Sequence, residues 1–232
     1  MSRRLLIQDL GTRRYGEVLE LQRDLCRRRL SGALREDLLL LVEHQPVVTL
    51  GRSTRPDSLP LPRSELAHRG VELFEVERGG DATYHGPGQL VGYPIFDLRQ
   101  HREDLHWYLR QLERSLISAL QALDIAAGLN PGLTGVWTSG RKIASIGVHV
   151  KQWVTFHGFA LNVLTDLDCF DLIVPCGIRD VVMTSVAQEL GRTDGALWHE
   201  VRRAVIDGVS QEFSLEPVEP SVAFGAAFAF SP

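Results

Sequence analysis

The stretch that most constrains this chain is residues 78–98, RGGDATYHGPGQLVGYPIFDL. Before it, residues 71–76 alternate as a strand does, and residues 90–98 form a second strand-like run. Between them stand Arg78, the adjacent glycines Gly79 and Gly80, then Asp81, Ala82, Thr83, Tyr84 and His85, closed by a Gly-Pro-Gly turn. Adjacent glycines let another backbone or a ligand come close. Pro87-Gly88 is strong turn chemistry, because proline presets φ and glycine accepts the left-handed position after it. A Gly-rich loop carrying Arg, Thr, Tyr and His reads as a binding loop held by a rigid sheet. The same residues also fit a plain β-hairpin whose polar groups are merely solvated.

The flanking sequence supplies the rest of an α/β fold. Residues 5–10 suit a first strand, and residues 15–30 place Tyr15, Val18, Leu19, Leu25, Cys26 and Leu30 near helical spacing, with Gly32 as the stop. Residues 38–42 and 46–50 are short apolar runs that read as two neighbouring buried strands. The clearest helix is residues 104–123, where Leu105, Leu109, Leu112, Leu116, Leu120 and Leu123 form one stripe. Residues 142–150 alternate, with Ile146, Val148 and Val150 on one face and Ser145, Gly147 and His149 on the other. Residues 155–163 read as the partner strand. The small residues Gly147, Gly158 and Ala160 suggest gaps that leave room for a slender ligand. Residues 185–190 and 197–213 look helical, and the tail from residue 217 has no assignment. No repeat or linker interrupts the 232 residues, so one α/β domain over residues 1–232 is expected.

Composition narrows the function. A net charge of −4 argues against a nucleic-acid binder working by bulk electrostatics. Three cysteines without a CxxC pair make no disulfide framework, and no apolar run approaches the ~20 residues that span a bilayer. A cytoplasmic protein is expected, without membrane attachment. No HExxH, CxxC or Walker A motif supports a metal or P-loop chemistry.

Of the three thiols, Cys169 lies among Asp166, Asp168 and Asp171, anions that disfavour a thiolate. Cys26 lies on the apolar face of a helix, where a buried thiol is inert. Cys176, in IVPCGI, stands where a strand-like run meets a break, with following backbone N–H groups suited to an oxyanion. It is the candidate nucleophile. A thiol nucleophile needs a base or cation beside it. His85, His149 and His157 fall in the right region, and Lys142 is the other option, one of two lysines in the chain with Lys151. A desolvated lysine loses its proton, whereas arginine effectively cannot.

Taken together, residues 78–98, GRKIASIGVHV, VTFHGFALNV and VPCGI, in this order and spacing, closely resemble the lipoyl(octanoyl) transferases of lipoate biosynthesis, with EHQPVVTLGR upstream. The resemblance spans about residues 43–178. It implies the fold of biotin and lipoate protein ligases, a mixed sheet flanked by helices. It implies transfer of an octanoyl group from acyl carrier protein to a lysine on the lipoyl domains of 2-oxoacid dehydrogenase E2 subunits and on the glycine-cleavage H protein, with no cofactor. By that match Cys176 is the acyl-thioester nucleophile and Lys142 its partner. Residues 78–85 form the substrate loop, and Ser145, Ile146, Gly147, Gly158, Phe159 and Ala160 line an acyl channel. Strict alternation places Lys142 opposite Ser145, so a twist or bulge at the strand start is required. The rivals are an ATP-dependent ligase on the same fold, a thioesterase, and a non-catalytic carrier-binding protein. For docking acidic partners, Arg13-Arg14, residues 27–29 and Arg202-Arg203 are candidates.

Overall fold

The computed structural model describes residues 3–174 and 181–219. The chain begins with β1 (Arg3–Arg13) and α1 (Tyr15–Ser31), which ends at Gly32 in the left-handed conformation that a helix stop favours. Next come β2 (Asp37–His44), β3 (Val47–Leu50), α2 (Arg63–His68), β4 (Glu72–Glu75), β5 (Ala82–His85) and β6 (Gln89–Ile95). Helix α3 (Leu105–Gln121) is followed by β7 (Gly128–Asn130), β8 (Leu133–Thr138), β9 (Arg141–Lys151) and β10 (Val154–Asn162). Helices α4 (Val186–Leu190) and α5 (Gly195–Phe213) lead into β11 (Leu215–Val218).

Eight strands make one mixed sheet in the order β11-β1-β2-β6-β10-β9-β8-β7, and β4-β3-β5 make a second. Two expectations are corrected here. Strands β2 and β3 are sequence neighbours but belong to different sheets, and so do β5 and β6, so residues 82–95 are not a hairpin. The Gly-Pro-Gly turn carries the chain from the small sheet to the large one.

The large sheet buries both faces. Its rows are set by register: Leu41, Gly92, Phe159 and Ile146 face each other across four strands, and in the adjoining row so do Val42, Val91, Ala160 and Ser145. The first row belongs to the core with α3 and α5, where Leu112, Leu116 and Leu120 meet Val201, Val205 and Val209. Gly92 leaves space that the Phe159 ring fills; a Cβ there would lie 2.1 Å from it. The α3 stripe is shorter than its leucine spacing suggests, since Leu105 is exposed and Tyr108 takes the buried place. On the opposite face, Val18, Leu25 and Cys26 of α1 pack against Leu40, Val42, Val91 and Phe156.

Between α1 and the start of β2 lies a buried ion cluster. Arg29 donates to Asp37 at 2.9 Å, His101 Nε2 lies 2.7 Å from the same carboxylate, and the Asp97 N–H donates to it at 3.2 Å. Arg29 is therefore structural and leaves the set of docking candidates. Removing the anion would strand a buried guanidinium, so D37A should cost about 3–5 kcal/mol by urea denaturation. A loss below about 1 kcal/mol would show that the cluster adds little.

Candidate active site

The face of the large sheet that carries Val91, Ala160 and Ser145 is roofed by the small sheet and the 78–81 loop, and a slender cavity lies between them. Arg78, Gly80, Asp81, Ala82, Thr83 and His85 line it from above; Ser145, Ile146, Gly147, Gly158, Phe159 and Ala160 line it from below. Gly79 and Tyr84 do not. Gly79 is tied to β9 by a hydrogen bond from its N–H to Val148 O at 2.9 Å. Tyr84 turns away into a separate apolar cluster beside Phe170. Four further residues complete the walls: Tyr15, Val91, Tyr93 and His157. Strand alternation along β6 would place Val91 and Tyr93 on one face, whereas nothing local in the sequence marks Tyr15.

Two of the supposed gaps are not gaps. A Cβ on Gly147 would lie 3.0 Å from Gly79 O and 3.1 Å from Arg78 Cδ, and one on Gly158 would lie 2.1 Å from Gly92 O. These glycines admit close neighbours, the Arg78–Gly79 loop and the β6 backbone, while still lining the cavity. The row Val91–Ala160–Ser145 is what stays narrow enough in side-chain volume to leave space.

Arg78 is held by Thr49 of β3, whose hydroxyl and carbonyl accept its Nη2 hydrogens at 2.8 and 2.7 Å. The loop is thus fixed to the small sheet while Gly79 fixes it to the large one. His85 stacks on Tyr15 with ring centroids 6.1 Å apart, and Tyr15 meets His44 edge-on. His44 Nε2 lies 2.8 Å from Tyr93 Oη. Burial keeps both histidines neutral, lowering His85 to about 3 and His44 to about 4. His157 sits mid-strand with φ of +56°, and Gln22 Oε1 accepts its N–H at 2.8 Å. Such a conformation costs roughly 1–3 kcal/mol and persists only where its surroundings impose it. Its Nε2 faces the Glu77 carboxylate at 3.8 Å, and His157 together with the paired Arg23 holds Glu77 well below the usual carboxylate range.

Lys142 is 3% exposed and does not line the cavity. Strand β9 carries one extra residue there: Val136 faces Ala144, yet Trp137 faces Lys142. Ile143 is the extra residue and lies in the helix-side core with Ala144. This bulge reverses the alternation and brings Lys142 to the face of Ser145 and Gly147. Its Nζ lies 5.5 Å from the Trp137 ring centroid. Gly135, at φ +129°, makes room; a Cβ there would approach Lys142 Cε to 2.8 Å. The Gly135 N–H is held by the buried Glu113 carboxylate at 3.1 Å.

Cys176 lies outside the described residues. Of the other thiols, Cys26 is buried, and burial pushes it up. Cys169 is partly buried in the short helical turn Leu167–Leu172. His149 Nδ1 donates to Glu77 O at 3.1 Å, outside the cavity. Among the described residues no three His, Cys, Asp or Glu side chains converge as metal ligands would, and no helix is long and apolar enough to cross a membrane.

Neutral buried histidines make stability depend on pH in a definite sense. The unfolded chain binds their protons near pH 6.5 and the folded chain does not, so stability is full above that value and falls as pH drops toward about 4. The loss is roughly 1.4 kcal/mol per pH unit for each histidine. Urea midpoints between about pH 7 and 5 should follow this slope, and H44Q should lessen it by about one proton. An identical slope in H44Q would assign the effect elsewhere.

Comparison with known proteins gives the family and the fold. Residues 14–210 match the family described as the lipoyl protein ligase A/B catalytic domain. An octanoyltransferase of Nostoc sp. is 45% identical over 214 residues, covering 92% of this chain and 94% of its own. One from Rubrobacter xylanophilus is 51% identical over 184 residues, covering 78% and 82%. In fold, the bi-partite lipoate protein ligase of Thermoplasma acidophilum superposes with a TM-score of 0.72 at 18% identity, over 98% of this chain and 91% of that one. The biotin protein ligase of Aquifex aeolicus gives 0.50 at 14%, over 92% and 70%. The mixed sheet with flanking helices is thus the ligase fold, and by sequence the chain belongs to the octanoyltransferases of the lipoyl protein ligase A/B catalytic domain family.

Proposed function

We propose that octanoyl transfer in this protein runs through a thioester on Cys176, with octanoyl-acyl carrier protein as donor and a lysine of a lipoyl domain as acceptor. In the first step the Cys176 sulfur attacks the donor's thioester carbon. Lys142 takes the thiol proton and returns it to the departing carrier thiol. In the second, the acceptor's ε-amine attacks the acyl-enzyme, Lys142 takes the amine proton, the amide forms and the Cys176 thiol is restored. Thioester exchange is nearly isoenergetic and amide formation is downhill, so neither step needs ATP. The observation that carries the reading is the β9 bulge, which turns a buried lysine to the face that holds the cavity. Its backbone N–H donates to Val182 O at 2.8 Å, six residues after Cys176 in sequence. The acceptors are the E2 lipoyl domains and the H protein of the resemblance, and the acyl chain occupies the cavity under the 78–81 loop.

Intact-protein mass after mixing with octanoyl-acyl carrier protein, without ATP, tests the mechanism. Wild type should gain one octanoyl group that a lipoyl domain discharges, and C176S should gain none. Release to water alone would identify a thioesterase, and an ATP requirement that survives C176S would identify a ligase. Full transfer in K142R would remove Lys142 from proton transfer.

The narrow row also predicts chain-length selection. A160L fills the space between Val91 and Ser145, so it should favour hexanoyl over octanoyl donors in direct competition, by about tenfold. G147L should instead displace the Arg78 loop and lower transfer of both donors alike. An unchanged donor ratio in A160L would place the acyl chain elsewhere.

A further inference from the structure

Beside the cavity runs a line of buried primary amides that the proposed reaction does not use. Gln89 of β6 and Asn162 of β10 face each other across the sheet, and each is 1% exposed. The next row on the same face holds Val91 and Ala160, so apolar side chains fit this part of the sheet. Burying two amides is costly unless their hydrogen bonds are made. Here they are made, in one direction. Gln89 Nε2 donates to Tyr84 O at 3.2 Å and to Asn162 Oδ1 at 2.9 Å. Gln89 Oε1 accepts from His85 Nδ1 at 2.7 Å. That leaves the Asn162 amide nitrogen, which donates to Thr184 O at 3.0 Å.

The line therefore ends on the backbone of Thr184. Thr184 N–H donates to Lys142 O at 2.9 Å, while Lys142 N–H donates to Val182 O at 2.8 Å. Residues 182–184 thus bond both backbone groups of Lys142 along one edge of β9, as a parallel bridge centred on Met183, at the position where β9 bulges. The bulge lies in the β8–β9 ladder, and residues 182–184 bond to the opposite edge of β9, just past the last β10 pair at Leu161 and Ala144. We propose that Asn162, directed by Gln89, is a positioning residue for Lys142: it holds the segment that bonds the Lys142 main chain and thereby sets the aim of the lysine. This rests on the reading that Lys142 acts in transfer.

The two lysines of the chain give a direct readout, since Lys151 serves as an internal reference for Lys142. N162L and Q89M remove the donating amides and keep side chains of similar length and branching. Reductive methylation followed by peptide mass analysis should show the Lys142-to-Lys151 labelling ratio rising about tenfold in N162L, with kcat falling about tenfold and KM for octanoyl-acyl carrier protein within about twofold. Melting temperature is recorded alongside, and Q89M decides the matter if N162L does not fold. A labelling ratio and kcat both at wild-type values in a natively melting variant would overturn the proposal. The labelling ratio tests the placement of Lys142 independently of its chemistry. Full transfer in K142R would therefore sink the proton-transfer reading and leave the positioning result readable.

Discussion

Strand β10 is hydrogen-bonded along both edges, to β6 and to β9, and its register is the constraint on which the rest depends. With Phe159 opposite Gly92 and Ile146, the large ring enters the core beneath α3 and α5. With Ala160 opposite Val91 and Ser145, three small or slender side chains face the roof formed by the second sheet. Because side chains alternate with period two, a slip of one residue would exchange these rows. It would drive Phe159 into the cavity and leave a methyl group where the core needs a ring. Cavity and core are thus two consequences of one pairing.

That pairing also explains where the strain and the buried polarity collect. His157 takes a left-handed conformation beside Gly158, at the point where β10 passes under the Glu77–Arg78 segment. Arg78, His85, His44 and Tyr93 are buried around the cavity, each satisfied by a specific partner: Thr49, Gln89 or the other ring. A pocket lined this way keeps its shape without a ligand, at a cost met by the apolar packing of α3 and α5 on the opposite face.

The lysine shows the same economy on a smaller scale. One inserted residue at Ile143, a glycine at 135 and a short segment at residues 182–184 together turn a side chain from the helix core to the cavity face. Each is a backbone device, so the ammonium's place depends on the main chain around it.

The sequence by itself determined the long elements and the family. The helical spacing at residues 15–30 and 197–213, the alternation at residues 142–150, the Gly-Pro-Gly turn and the four ordered motifs are local patterns, readable because periods of 3.6 and 2 follow from backbone geometry. Alternation even exposed the conflict at Lys142 and demanded a bulge, which the β8–β9 register contains. Only the tertiary structure decided which sheet each strand joins, so β2 and β3 separate and residues 82–95 are no hairpin. It alone showed how closely the Arg78–Gly79 loop and Gly92 approach Gly147 and Gly158, and that Tyr15, from a distant helix, walls the cavity. Such facts rest on contacts between residues far apart in the chain, and no local period carries information about a partner that arrives from elsewhere.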